Sequence, residues 1–162
     1  MARANTQIGD IFSVKVNDNG NKYFQYIVSD FTQLNSDVIR AFKKVYPINY
    51  NPDLSEIVHG EVEFYAHCIT KFGLKMNFWE KVGNIVDVGD FQKVLFRSSG
   101  DRGKGVKISF DWWVWKINEP QKRVGKLEGE KRKAEIGSVI PPDSIVYRIQ
   151  TGKYDFVYPD YE

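Results

Sequence analysis

The chain has 162 residues, with 42% hydrophobic and 15% aromatic content. That excludes a disordered polymer and leaves room for one domain, which at this size buries roughly 68–70% of its unfolded surface. A single cysteine, Cys68, and two histidines exclude an internal disulfide and argue against a structural zinc site. No stretch approaches the ~20 apolar residues of a membrane helix, and Met1 to Gln7 has no apolar signal core, so a cytoplasmic location without membrane contact is expected.

The net charge of +2 is unevenly spread. From Arg97 to Lys133 there are 11 Lys or Arg against 5 Asp or Glu, a local +6, whereas Ala134 to Glu162 carries −3. Nucleic-acid binding, internal pairing and a solvated face are all open readings of that contrast.

Phe12, Val14 and Val16 alternate with Ser13 and Lys15, the period of a strand with one buried face. Asn17-Asp18-Asn19-Gly20-Asn21 then supplies turn chemistry, so Lys22 to Ser29 is expected to return as the second arm of a hairpin. Val38 to Ile48 mixes helical spacing with β-branched residues and Pro47 and reads as a strand. Asn51 to Glu56 reads as a connection with one short helical turn before Gly60. Val62, Phe64, Ala66 and Cys68 define one face of the next strand, with Glu61, Glu63, Tyr65, His67 and Ile69 on the other. Leu74 to Val82, Phe91 to Phe96, Val106 to Ile117 and Ile145 to Ile149 complete the expected strands. The Lys- and Glu-rich stretch before Glu135 reads as a short amphipathic helix or a loop. The fold class expected is therefore mainly β (α+β at most): a strongly bent antiparallel sheet or partly open barrel with one or two short helices. It forms a single domain over 1–162, with frayed ends at 1–7 and 159–162.

Four groups of residues invite a functional reading. Phe110-Asp111-Trp112-Trp113-Val114-Trp115-Lys116 places Trp113 and Trp115 on one face and Trp112 with Val114 on the other. Two readings stand: a core strand, or a stacking platform in which Asp111, Trp113 and Trp115 meet a partner. Ser98 to Gly105 is glycine-rich, but Lys104 is followed by Gly105 and a strand, so it reads as a hairpin loop instead of a phosphate loop. Glu61, Glu63 and His67 share a strand face, which also describes ordinary exposed positions, and no cofactor or metal is expected. The closing run mixes Tyr158, Asp160 and Tyr161 with other acids and aromatics, a composition suited to a basic protein surface or to a simple chain end.

Gly9-Asp10-Ile11-Phe12 entering a hairpin, a long middle strand, Trp79 with Val82-Gly83-Asn84, and then an aromatic strand resemble the immunity protein 26 family over roughly Ile8 to Ile117. Phe24-Gln25-Tyr26, where that pattern has a glycine, and Glu80, where proline is more usual, depart from it. The resemblance implies a non-enzymatic bacterial immunity protein that blocks a cognate polymorphic toxin by occlusion. The expected contacts are Asp111, Trp113, Trp115, Tyr158, Asp160 and Tyr161. In such a protein Gly9 and Asp10 would serve a turn and Gly83 and Asn84 would accept positive φ; neither pair would bind a ligand. The alternative is a nucleic-acid-binding β module in which Trp113 and Trp115 stack on bases while Arg102, Lys104, Lys107 and Lys122 contact phosphates.

Overall fold

The computed structural model describes residues 5–162; residues 1–4, part of the expected frayed start, lie outside the described residues. Strands β1 (Asp10–Asn17) and β2 (Gly20–Asp30) form the expected hairpin. Its turn is closed by the Asn19 N–H donating to Asn17 Oδ1 at 2.8 Å, a side-chain substitute for a backbone turn bond. Strands β3 (Ser36–Phe42), β4 (Tyr46–Pro47), β5 (Val62–Cys68) and β6 (Glu80–Asn84) complete the first sheet, in the order β5-β3-β2-β1-β6 with β4 alongside β2. A second sheet has the order β10-β7-β8-β9. It is formed by β7 (Leu95–Ser99), β8 (Trp112–Lys116), β9 (Lys122–Gly125) and β10 (Glu135–Ile136). Among the described residues β6 and β9 have a neighbour on one side only.

The first sheet is covered on both faces. On one, Phe12, Phe24, Ile39, Phe64, Ala66 and Cys68 pack with Trp79 and with Ile145 and Ile149 of helix α3 (Pro142–Thr151). The other face is shared. Ile11, Tyr23 and Phe42 meet Ile57 and Val58 of α1 (Leu54–Val58), while Ile27 and Val38 meet Phe96 and Trp115 of the second sheet. Between these clusters lie two buried polar side chains, Gln25 and Arg40. Arg40 Nε donates to Gln25 Oε1 at 2.9 Å, and Gln25 Nε2 reaches the carbonyls of Gly9, Ile85 and Asp87, so both are satisfied.

The mainly β class holds, with largely antiparallel pairing and a few short helices as expected, and details of the layout differ. Among the described residues the strands form two sheets and there are three α-helices, one more than expected. Ile145 to Ile149, expected as a strand, lies in α3: Pro142 sits in its first turn, and Ile145 and Ile149 are spaced i, i+4, which puts both on the buried side of a helix. The stretch from Leu74 is likewise split. Helix α2 (Thr70–Lys75) ends there, and the chain turns through Asn77 at φ 63° before β6. Gly73 lies where a side chain would collide with the Trp79 ring, its Cβ position falling 1.9 Å from Cζ2.

The two sequence patterns that carry the family resemblance become neighbours. β1 pairs with β6, Asp10 opposite Asn84 and Ile11 opposite Gly83. Buried Asp10 accepts from Asn84 Nδ2 at 2.9 Å, and Lys81 Nζ stands 3.1 Å from the same oxygen. Gly9 adopts φ 97° at the strand entrance, as a turn there requires. Gly83 and Asn84 do not have positive φ; they are strand residues, and Gly83 makes room for Leu54, whose Cδ1 lies 2.8 Å from the position of a Cβ.

Candidate functional site

The hairpin of β7 and β8 is closed by a loop whose hydroxyl and carboxyl groups hold it internally. Ser99 Oγ bonds Ser109 Oγ at 2.6 Å, Ser109 Oγ donates to Asp101 Oδ2 at 2.8 Å, and the Gly100 N–H donates to the Asp111 carbonyl at 2.9 Å. This is a braced turn, in keeping with the hairpin-loop reading of Ser98 to Gly105.

Alternation along β8 then divides the aromatic residues. Trp112 is fully buried and donates its indole N–H to the Ser109 carbonyl at 2.8 Å, packing with Val114 and Leu127. Trp113, on the opposite face between Ser98 and Arg123, is 38% exposed. Asp111, half-buried beside it, accepts from Arg123 Nε at 2.6 Å. Trp113, Asp111 and Arg123 thus form one surface station on a strand whose other face is packed.

Trp115 is not part of that station. It is 2% exposed, enclosed by Ile27, Val38 and Phe96, because the first sheet covers its side of β8 at this position. Its indole N–H donates to Asp30 Oδ2 at 3.1 Å. Asp30 also accepts from His67 Nε2 at 2.9 Å, from Thr32 N and Oγ1 at 3.0 and 2.6 Å, and from the Asn118 N–H at 3.0 Å. Burial alone would raise its pKa, but bonds from His67, Thr32, Asn118 and Trp115 outweigh that and hold the carboxyl well below the usual carboxylate range.

Tyr158, Asp160 and Tyr161 lie elsewhere again, over the Trp112 face. They are not frayed. The Asp160 N–H donates to the Lys107 carbonyl and the Ser109 N–H to the Asp160 carbonyl, both at 2.8 Å. Tyr158 packs against Trp112 with ring centroids 6.1 Å apart. The Arg97 guanidinium lies 5.2 Å from the Trp112 ring, 6.0 Å from Tyr158 and 5.6 Å from Tyr161, while Arg132 lies 5.3 Å from Tyr161. Arg132 Nη1 also bonds Glu162 Oε1 at 3.0 Å. Among the described residues one ion pair, Arg132 with Glu162, thus joins the basic stretch to the acidic end; Tyr158 and Tyr161 meet that stretch as rings against guanidiniums. The Tyr158 and Tyr161 rings turn inward and only the Asp160 side chain is exposed. Of residues 5–7, Thr6 and Gln7 are anchored too, through Thr70 Oγ1 and Asp10 Oδ2.

Glu61, Glu63 and His67 do not converge. Glu61 faces Lys43 at 3.9 Å, Glu63 pairs with Lys22 at 2.7 Å and His67 is buried against Asp30; among the described residues no three His, Cys, Asp or Glu groups gather as a metal site would need. Cys68 is core, its thiol pKa pushed well up by burial. Sequence reasoning missed Arg123, Arg97 and Arg132 as partners of the aromatic and acidic groups. The local +6 beside −3 was their signal.

One depression, of about 270 Å³, is lined by Tyr65, Lys93, Val94, Leu95, Glu130, Lys133 and Glu135. Burial pushes the Glu135 pKa up to about 7, with Arg148, the Tyr65 backbone and Arg97 opposing the rise. Another, lined by Phe91, Gln92, Lys93, Lys116, Ile117 and Glu119, lies nearby across Lys93. Among the described residues, no helix is long and apolar enough to cross a membrane. Comparison with family models, curated proteins and solved structures finds no match.

Proposed function

We propose that this chain is a non-enzymatic immunity protein that binds and occludes a cognate bacterial toxin in the cytoplasm, with Trp113 as its central anchor and Asp111 and Arg123 beside it. The observation that carries the reading is a half-exposed indole on a strand whose other face is packed, next to a carboxylate and a guanidinium already in register. Trp and Arg dominate the energetics of protein interfaces, and a side chain held by a packed strand loses little entropy on binding. Occlusion needs a buried surface of about 1,600 Å² and no chemistry of its own. The likeness of Gly9-Asp10-Ile11-Phe12 and Trp79 to Asn84 to immunity protein 26 sequences adds to this reading. Trp115 fixes the same strand from within the fold, while Tyr158, Asp160 and Tyr161 lie over the opposite face and stay outside this station.

The direct test is a pull-down and activity assay with the toxin encoded beside this gene. Stoichiometric capture and loss of toxin activity are expected, and undiminished toxin activity at saturating protein would reject the proposal.

A second reading as a nucleic-acid-binding module is favoured by the exposure of Trp113, Phe110, Lys104, Lys107 and Lys122. Arg102 is drawn away from that role by Tyr158 and Ser138. Binding through phosphates would weaken steeply with salt; absence of a mobility shift at low ionic strength removes this reading.

A further inference from the structure

The segment after α3 crosses from one sheet to the other on a ladder of rings. Tyr154 meets Phe64 of the first sheet at 6.3 Å, Tyr154 and Phe156 stack at 4.9 Å, Phe156 meets Tyr158 at 6.5 Å, and Tyr158 reaches Trp112. The two halves of this crossing are held differently. Tyr154 and Phe156 pack against the core of the first sheet, whereas residues 158–162 lie on the second; among the described residues their backbone attachment is one bridge, Ile108 to Asp160, with its two hydrogen bonds. Val157 between them is 91% exposed.

Besides that bridge, 158–162 is held by side chains. Tyr158 and Tyr161 pack on the Trp112 cluster with Pro159 buried; Arg97 and Arg102 lie around Tyr158, Arg97 and Arg132 around Tyr161, and Arg132 on Glu162. The fit is incomplete. Arg97 Nε and Tyr158 Oη are buried without a hydrogen-bond partner among the described residues. A buried guanidinium N–H lacking an acceptor is costly, and a ligand that brought a carboxylate oxygen to it would be held better than the tyrosine now there.

We infer that this arginine-lined face of the second sheet is a peptide-binding groove, that residues 158–162 occupy it in cis, and that an acidic, aromatic segment of a partner protein takes the same place in trans. The cis segment shows the chemistry accepted: an extended chain pairing with Lys107 to Ser109, rings that slide between guanidiniums, and carboxylates at the rim. A tethered segment competes at an effective concentration on the order of mM, so weak ligands are kept out while the segment is seated. The groove is on the face opposite Trp113, so the inference does not depend on the toxin reading.

The test uses the full chain and a fluorescent peptide with the sequence of residues 154–162, read by anisotropy. One variant combines Tyr158→Ala, Tyr161→Ala and Glu162→Gln. A second, Asp160→Pro, removes the N–H that bonds Lys107 and the carboxylate that accepts from the Tyr161 N–H, while keeping both tyrosines and Glu162 in the sequence. Both are expected to bind the peptide at least about tenfold more tightly than the native chain, in line with loss of the tethered competitor. Binding should fall with salt and be unaffected by Trp113→Ala. Equal affinity for native chain and variants, or no binding by a variant that keeps its near-ultraviolet circular dichroism, would overturn the inference. Preferential binding of a single-stranded oligonucleotide by the unseated variants would overturn the assignment to a protein ligand.

Discussion

The indole N–H of Trp115 donates to Asp30 Oδ2 across the junction of the two sheets. Because His67 on β5, Thr32 beyond β2 and Asn118 beyond β8 all converge on the same carboxylate, Asp30 is where three parts of the fold are fixed to one another. Asp30→Ala should leave these donors buried without an acceptor. We expect a loss of about 3 kcal/mol or more in urea unfolding at pH 7. A loss below about 1 kcal/mol, within the range of surface substitutions and weak contacts, would show that the junction is held by apolar packing alone.

Two carboxyls give the stability opposite pH slopes. Asp30 has a depressed pKa in the fold, so its contribution is present above the unfolded value of about 3.9 and is lost as pH falls through and below it. Glu135 has a raised one, about 7, so the fold holds its proton and loses stability as pH rises from roughly 4.3 to 7. From these two groups together stability is greatest at about pH 4, between the two unfolded values. Glu135→Gln should flatten the decline toward pH 8, by at most about 3 kcal/mol because the group is partly exposed. Parallel melting curves of native chain and variant from pH 4 to 8 would contradict this.

Gly73→Ala should be far worse than a helix propensity scale suggests. The added methyl enters the Trp79 ring, and overpacking of that kind costs about 1–3 kcal/mol. In a cycle with Trp79→Leu, the double variant should be less destabilised than the sum of the singles by about 1 kcal/mol or more. Additive losses would mean the ring and the glycine are not coupled.

Trp113→Ala should cost the fold about 1 kcal/mol, as the ring packs on its cross-strand neighbours, yet weaken toxin binding by about 2 kcal/mol, roughly thirtyfold. Arg123→Ala should affect stability by less than about 1 kcal/mol, as expected of an exposed ion pair. Intact binding by the Trp113 variant, measured calorimetrically, would place the anchor elsewhere.

Much of the β framework was legible because local pattern and burial agree there. The hairpin of β1 and β2, the alternation of Val62 to Cys68 and the short turn of helix at α1 all follow from period and turn chemistry. Ile145 to Ile149 was not, because Ile, Val and Tyr favour strands by composition while their spacing and Pro142 favour a helix. At Trp113 and Trp115 alternation correctly assigned both rings to one face. It carried no information on where the first sheet stops covering that face, which a long-range contact with Asp30 decides. The arginine cradle under Tyr158 and Tyr161 was visible only as a charge imbalance, since cation–π pairing between residues tens of positions apart leaves no local motif.

The margin of the second sheet at β9 carries Lys122 and Arg123, both exposed. An unpaired strand invites polymerisation with copies of itself, but here two such margins laid together would set cation against cation. That border is thereby guarded against pairing with its own copy, while it suits a foreign strand that carries carboxylates better than one that carries cations.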